Sequence, residues 1–198
     1  MRLKVLENGH RPLQKLILTL IKLGMGFRPG PILTMSYRRD LFGKHLAACV
    51  QEGMRQMKHW QKTDVEVMAA FVAQTNTCHY CLGDHRAIAS VGLPEDVVKA
   101  TLANWQTAPV GEPLRQTLGF LEKVTLRPTE VGPADVEPLR AAGLRDAAIE
   151  EALYVCFLFN VIGRLADAFD FEEPAEKSRR RLARVLYAQG YGIGSLPG

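Results

Sequence analysis

The sequence predicts an all-α protein, folded as a single domain over residues 1–198. Its 198 residues suffice for one globular domain, and 47% hydrophobic with 23% charged residues is typical of a folded chain. Strict alternation of β-branched and aromatic residues with polar ones, which would indicate strands, is hard to find. Apolar residues recur instead at helical spacings along most of the chain.

The predicted helices follow from caps, breakers and apolar spacing. Residues 1–30 are predicted as an N-terminal arm that packs on a partner chain, and residues 35–185 as the core. The tract 32–57 contains no proline and predicts a long helix. Tracts 145–171 and 176–189 also predict helices, the first apolar on so many faces that it should lie at the bundle centre or a subunit contact. Between residues 57 and 145, further helices are predicted over 63–75, 78–92, from 94 onward, 113–124 and 133–142.

The charge distribution argues against a nucleic-acid partner. The net charge is only +4, and it is uneven, because the first 45 residues hold nine basic side chains against two acidic ones. A second basic run lies at 177–184, where a solvated helix face is the ordinary interpretation. A protein that binds nucleic acid usually carries a basic face across the fold, and this sequence predicts none.

A cytoplasmic protein without a membrane partner is expected. The apolar stretch at 13–27 is interrupted by Lys15 and Lys22 and is shorter than the ~20 apolar residues that span a bilayer. It also lacks the layout of a signal peptide. Four cysteines in a chain of this size do not indicate a secreted disulfide scaffold. Cys49 and Cys156 have apolar neighbours and are predicted to lie in the core.

The motif Cys78-His79-Tyr80-Cys81, followed by His85, is the strongest chemical signal. Spacings of three and four residues put Cys78, Cys81 and His85 on one helix face. The positive end of the helix dipole stabilises a thiolate, an imidazole can exchange its proton, and a second thiol can convert a sulfenic acid into a disulfide. These are the functions that reduction of a peroxide by thiols requires.

Glu66 is the predicted fourth member of this group. It lies twelve residues before Cys78, on the preceding helix, which the turn at Asn76 and Thr77 should fold back against the cysteine helix. From there a carboxylate can orient His85 and increase its basicity. Glu66 also fits a capping box with Thr63.

Two other interpretations of the cysteines remain open at this point. The two cysteines and His85 are three of the ligands of a zinc site, although a fourth at ordinary spacing is missing. Buried cysteines can also serve only as small hydrophobic residues.

The string Glu66, Cys78, Cys81, His85 resembles the alkylhydroperoxidase D-like (AhpD-like) group of the carboxymuconolactone decarboxylase superfamily. Residues 151–167 are similar to the second characteristic helix of its peroxidase-related branch. The resemblance, over about residues 35–185, implies an all-α helical bundle that forms homo-oligomers such as dimers, trimers or hexamers. It also implies reduction of hydroperoxides without haem, flavin or metal, with electrons from a lipoyl-bearing or thioredoxin-like dithiol protein.

Carried over to this sequence, the resemblance makes Cys81 the attacking cysteine and Cys78 the resolving one, which implies a Cys78–Cys81 disulfide. His85 and Glu66 then form the proton relay. Well-known members have histidine directly before the second cysteine, where this chain has Tyr80. Tyr80 is therefore a candidate substitute in the relay, although tyrosine is a poor base near neutral pH. Helix-dipole reasoning instead gives Cys78 the lower pKa.

Three function classes compete at this stage. The favoured one is a thiol-dependent hydroperoxide reductase, an oxidoreductase of peroxiredoxin-type activity. A non-catalytic oligomeric module that binds a partner and senses redox state through the same dithiol is the alternative, and the basic segments would support it. A lactone decarboxylase is disfavoured because that chemistry needs a general acid and base but no redox dithiol.

Overall fold

The computed structural model describes residues 1–192, and every regular element in this part of the chain is helical. The all-α prediction is confirmed for these residues. The α-helices are α1 (Val5–Asn8), α2 (Pro12–Met25), α3 (Gly30–Tyr37), α4 (Lys44–Arg55), α5 (Lys62–Thr75), α6 (His79–Gly92), α7 (Glu95–Ala103), α8 (Glu112–Leu126), α9 (Pro133–Ala141), α10 (Asp146–Phe169) and α11 (Glu176–Gln189). A π-helical segment (Arg39–Gly43) joins α3 to α4, and short 3₁₀ turns follow α7 and α8.

The helices after residue 60 match the predicted ones closely. α6, α9 and α10 differ from the predicted tracts by one or two residues at an end, and α11 coincides with its tract. Local signals explain this agreement, since Pro94 precedes α7 and Pro133 opens α9. Asn76 ends α5 as predicted, and Thr77 adopts the left-handed φ of 59° that turns the chain into α6.

The single helix predicted over residues 32–57 is wrong. α3 ends at Tyr37, because Arg38 leaves the helical region with φ −120° and ψ 58°, and the π-helical segment then redirects the chain into α4. Gly43 lies against α3 so closely that a Cβ there would be 1.7 Å from the carbonyl oxygen of Met35. Apolar spacing carries no information about such a close backbone approach.

The centre of the bundle is α5. All residues from Val65 to Ala73 are buried, since α6, α10, α8, α4 and α7 surround the helix. The sequence predicted α10 at the bundle centre or at a subunit contact. α10 packs against α4, α5, α6 and α8 on one side and leaves Tyr154 and Phe157 more than half exposed on the other, so a subunit contact there stays a prediction. Small residues such as Ala69 and Ala70 let neighbouring helices approach α5 from every side.

The N-terminal helices pack on the body of the same chain. The Gln14 side-chain amide donates to the Ser36 carbonyl oxygen at 2.9 Å, and His10 bonds the Leu33 carbonyl oxygen at 3.0 Å. The opposite face of α2 exposes four leucines: Leu13, Leu16, Leu20 and Leu23. Packing of this arm on a partner chain stays a prediction.

By length and composition, α10 is the one helix of residues 1–192 that could cross a membrane. The central helices of a helical bundle often have the same composition. α10 is packed in this way, against α4, α5, α6 and α8.

We expect Gly43→Ala to lower the free energy of unfolding by about 1–3 kcal/mol, because the added methyl group meets backbone rather than a movable side chain. Urea denaturation monitored by circular dichroism measures this change. Gly132→Ala is the matched control, since its Cβ would meet no atom within 4 Å. Equal midpoints for the two variants would contradict the close packing at residue 43.

Candidate active site

The turn between α5 and α6 places the two cysteines where a helix begins. The Cys78 N–H donates to the Ala73 carbonyl oxygen at 2.9 Å, which holds Cys78 at the position just before the first turn of α6. Cys81 lies within that turn. The free backbone N–H groups of a helix N-terminus carry partial positive charge and stabilise a nearby thiolate.

The thiols of Cys78 and Cys81 are both reduced, and the Cys81 thiol donates a hydrogen bond to the Cys78 sulfur. This bond is the main reason that the pKa of Cys78 is lowered from its ordinary value. The same bond raises the pKa of Cys81 well above the ordinary value, and so do burial and the charges of Asp84 and Asp167. These directions favour the thiolate on Cys78, the same sulfur that the helix-dipole argument favours, although the cause here is the hydrogen bond from Cys81.

His85 and Glu66 are brought together across the α5–α6 pair, as the sequence predicts. His85 Nδ1 lies 2.7 Å from Glu66 Oε2, and Glu66 is fully buried. Arg55, from the end of α4, holds the other carboxylate oxygen with Nη1 at 2.7 Å from Oε1. The carboxylate is thus an acceptor, so His85 donates from Nδ1 and its Nε2 carries the free lone pair.

Tyr191 completes the group from beyond the end of α11. Its hydroxyl lies 2.8 Å from Glu66 Oε1 and 3.0 Å from Oε2. Sequence analysis missed both Arg55 and Tyr191. No local pattern marks Arg55. Tyr191 is flanked by Gly190 and Gly192, and such a pattern could have indicated a turn that brings an aromatic side chain back to the bundle.

A cavity of about 100 Å³ lies beside this group. Cys81 and His85 border it, whereas Cys78, which has no exposed surface, is not among its lining residues. The remaining wall is largely apolar and includes Met35, Val50, Phe159, Ile162 and Leu182. The cavity therefore offers a small apolar space next to one thiol and one imidazole.

Tyr80 borders the same cavity, and its part in the relay stays a prediction. Its hydroxyl is buried and makes no hydrogen bond of ordinary geometry among the described residues, although it interacts with Asp84 and with the Gly30 backbone. Burial first, and then the charge of Asp84, raises the pKa of Tyr80 well above its ordinary value, so the phenol stays protonated near neutral pH. Its ring packs edge-on against Phe171 with centroids 5.3 Å apart.

Asp84 forms a second buried ion pair beside the dithiol. Arg179 Nε lies 3.1 Å from Asp84 Oδ1, and both side chains are nearly inaccessible. Burial raises the pKa of Asp84, while His85 and Arg179 oppose that rise. The basic run 177–184 is therefore not wholly solvated as predicted, because Arg179 turns inward to this carboxylate.

The capping-box interpretation of Thr63 and Glu66 is wrong. α5 begins at Lys62 after Gln61, without a side-chain cap. The Thr63 hydroxyl lies 3.0 Å from the hydroxyl of Tyr187, and the Glu66 side chain points inward to His85. The capping-box sequence is present, but the cap does not form, because in the buried helix both side chains bond to other elements.

Two further cysteine predictions have opposite outcomes. Cys156 is buried as predicted, but Cys49 is exposed, because the inward face of α4 carries Leu46, Val50 and Met54.

No cluster of three or more histidine, cysteine or acidic side chains able to hold a metal ion is found in residues 1–192. The zinc interpretation of Cys78, Cys81 and His85 thus gains no support.

The fold is that of the peroxidase-related, AhpD-like proteins. An uncharacterized peroxidase-related protein from Silicibacter sp. TM1040 superposes with a TM-score of 0.75 at 23% sequence identity, over 87% of this chain and 91% of that one. The alkylhydroperoxidase AhpD core of an uncharacterized peroxidase-related protein from Ralstonia eutropha JMP134 gives 0.73 at 23% identity, over 87% and 92%. The resemblance stated from the sequence is confirmed at the level of the fold.

A debrominase, Bmp8, has a similar fold as well. Its TM-score is 0.68 at 19% identity, over 87% of this chain and 91% of that one. Bmp8 is also known in complex with 2,3,4-tribromopyrrole. No protein-family model and no curated protein matches this sequence.

We expect Glu66→Gln to lower the free energy of unfolding by about 3–5 kcal/mol, because it leaves the Arg55 guanidinium without its buried carboxylate. Urea denaturation provides the measurement. Glu112→Gln, which removes an exposed partner of Arg115, is the control and should cost less than about 1 kcal/mol. A loss at Glu66 no larger than the control would show that the buried pair does not stabilise the bundle.

Proposed function

We propose that the protein is a thiol-dependent hydroperoxide reductase that uses Cys78 and Cys81 as its redox dithiol. One observation carries the proposal. A reduced, hydrogen-bonded dithiol and an imidazole fixed by a buried carboxylate lie at one end of a small apolar cavity. A peroxidatic cycle needs a thiolate, a proton donor and acceptor, and a second thiol within reach, and all are available there.

Cys81 is the sulfur that attacks in this proposal, because Cys81 borders the cavity and Cys78 is enclosed behind it. The lower pKa of Cys78 does not oppose this assignment. The two thiols share a hydrogen bond, so movement of one proton from Cys81 to the Cys78 thiolate places the negative charge on Cys81. The pair titrates as a unit, and access then decides which sulfur reacts.

The chemistry balances without any further oxidant. The Cys81 thiolate attacks the terminal oxygen of R–O–O–H, the S–O bond forms, the O–O bond breaks, and the alkoxide takes a proton to leave as R–OH. Cys78 then attacks the sulfur of the Cys81 sulfenic acid, which forms the disulfide and releases water. Two electrons pass from the dithiol to the peroxide, and an external dithiol must return them.

His85 is the proton carrier of both steps. Its Nδ1–H is committed to Glu66, so Nε2 is available to take the thiol proton and to return it to the leaving oxygen. Arg55 compensates the charge of Glu66 and lets the imidazole exist in either protonation state without a buried unpaired carboxylate.

The reductant is proposed to be a lipoyl-bearing or thioredoxin-like protein in the cytoplasm. Such a donor must reach a disulfide that lies almost entirely below the surface, since Cys81 is only 3% exposed. The reaction as proposed uses no cofactor, no metal, no nucleic acid and no membrane. Assembly into a homo-oligomer is part of the proposal, and the exposed leucines of α2 are available for it.

Reductive removal of a halogen is the second candidate. The observation that favours it is the cavity itself, whose apolar wall includes Phe159 and the ring of Tyr80 and fits a small aromatic molecule. The fold of a debrominase is similar to that of this chain. The same dithiol supplies the two electrons, so that an aryl bromide and two thiols would give the arene, a disulfide, bromide and one proton; the other thiol proton replaces the bromine on the ring.

The first prediction of the proposal is that one equivalent of an organic hydroperoxide removes two free thiols from the wild type. Cys81→Ser should lose turnover, whereas Cys49→Ser, which alters an exposed cysteine away from the cavity, should retain it. Thiol titration and peroxide consumption with several dithiol donors measure these outcomes. Turnover of bromoarenes but not of peroxides would favour the second candidate, and turnover of neither would favour a redox-sensing binding module.

Trapping of the intermediate tests which sulfur attacks. After peroxide, a sulfenic-acid probe should label the Cys78→Ser variant, because Cys81–SOH then lacks its resolving thiol. Mass spectrometry locates the adduct. Labelling in Cys81→Ser instead would assign the attack to Cys78 and overturn the argument from access.

The Tyr80→Phe variant tests the buried hydroxyl. Because this hydroxyl makes no hydrogen bond of ordinary geometry and Tyr80 borders the cavity, we expect it to bind the substrate oxygen, so that Tyr80→Phe raises KM for organic hydroperoxides. The folded state should lose little stability, since no well-formed hydrogen bond is removed. An unchanged KM together with a lower kcat would indicate a role in proton transfer rather than in binding.

A further inference from the structure

The chain beyond α11 turns back over the cavity. Gly190 adopts a φ of 79°, a conformation that side chains rarely tolerate, and this turn brings Tyr191 to the bundle. The Tyr191 N–H donates to Gln51 Oε1 at 2.6 Å, which anchors the segment to α4. The side chain then borders the same cavity as Cys81 and His85.

The Tyr191 ring contacts the other two partners of Glu66, Arg55 and His85. The guanidinium of Arg55 lies 4.7 Å from the ring centroid, and the imidazole of His85 is nearly parallel to the ring at 6.0 Å between centroids. The hydroxyl contacts both oxygens of Glu66 and lies 3.3 Å from His85 Nδ1. Burial and the charge of Glu66 raise the pKa of Tyr191 well above its ordinary value, so the phenol remains a donor.

We propose that Tyr191 is a positioning residue for the Glu66–His85 pair. Its hydroxyl locks the carboxylate in the one orientation that receives Nδ1–H, and so keeps the Nε2 of His85 free for the reacting thiol. This inference rests on the proposed function, since it assigns to Tyr191 a share in the proton transfer that the dithiol needs.

Arg55 alone does not fix this geometry. A carboxylate bound by Arg55 at Oε1 can still rotate about its last bond and move Oε2 away from His85. The phenol bridges the two oxygens and lies beside Nδ1, so rotation would break its bonds as well. Restricting a catalytic group in this way is worth up to about a hundredfold in rate.

The electrostatic surroundings of His85 determine the sign of the pH effect. Glu66 on α5 and Tyr191 contact His85 directly, and Asp84 on α6 interacts with it electrostatically. One contact further away, Arg55 on α4 pairs with Glu66, Arg179 on α11 pairs with Asp84, and Asp167 on α10 acts on Cys81. Tyr191→Phe leaves the other groups in place and removes one hydrogen-bond donor from Glu66. A carboxylate with one donor fewer attracts the imidazole proton more strongly, so the acidic limb of the rate profile should move to higher pH.

Tyr191→Phe is the test variant and Tyr187→Phe its matched control. Tyr187 lies one turn earlier in the chain, and its hydroxyl bonds Thr63 at 3.0 Å, outside the cavity. We expect Tyr191→Phe to lower kcat for hydroperoxide reduction by about tenfold to a hundredfold. KM should change little, because the ring still forms the wall. The acidic limb should move to higher pH, while Tyr187→Phe follows the wild type.

A second measurement separates this inference from the proposed function. In a Cys49→Ser, Cys78→Ser background, Cys81 is the site cysteine left to react, and its rate of alkylation by iodoacetamide is followed against pH by mass spectrometry. The Tyr191→Phe change should move the acidic limb of this profile to higher pH even if the wild type reduces no peroxide. Failure of peroxide reduction alone would remove the proposed function only. Profiles of Tyr191→Phe that coincide with those of Tyr187→Phe would overturn the positioning role.

Discussion

The carboxylate of Glu66 is the constraint on which the rest of the structure depends. Glu66 is fully buried, and it belongs to α5, the helix that α4, α6, α7, α8 and α10 surround. An isolated charge there would cost many kcal/mol, so the fold must bring donors to it. Arg55, His85 and Tyr191 do so from α4, α6 and the end of the chain. These elements are thereby held in one mutual arrangement.

The same constraint organises the chemistry. His85 is tied to Glu66, and one turn before it Cys81 faces the cavity, because α6 carries both side chains on one face. Cys78 lies one turn further back, at the helix N-terminus, where its thiolate is stabilised. A thiolate, its partner thiol and a proton carrier are therefore placed in series along a single helix. The neighbouring helix α5 supplies the carboxylate that orients the imidazole.

Most of the helix bounds, and the grouping of the two cysteines with His85, could be predicted from local sequence patterns. Prolines, the Asn76–Thr77 turn and apolar spacing were enough for α6 to α11, and one helix face was enough to group Cys78, Cys81 and His85. The break after Tyr37 was missed because it depends on the close approach of Gly43 to α3.

The residues that close the site were missed for a different reason. Arg55 and Tyr191 reach Glu66 only after α4 and the segment beyond α11 have packed on α5, and no spacing in the sequence encodes those contacts. Glu66 itself was ambiguous, since its spacing from Thr63 fits a cap that the buried helix does not use.

The charge balance around the dithiol is compatible with the reaction proposed for so buried a site. Two arginine–carboxylate pairs are buried near it, Arg55 with Glu66 and Arg179 with Asp84. Each pair is nearly neutral, so neither supplies the full positive charge that would trap a thiolate in an unreactive ion pair. The negative charge of the thiolate is instead stabilised by the helix N-terminus and by the partner thiol, both of which remain in place while the proton moves. A thiolate at this position therefore needs no cation beside it, because the helix dipole and the partner thiol stabilise its charge.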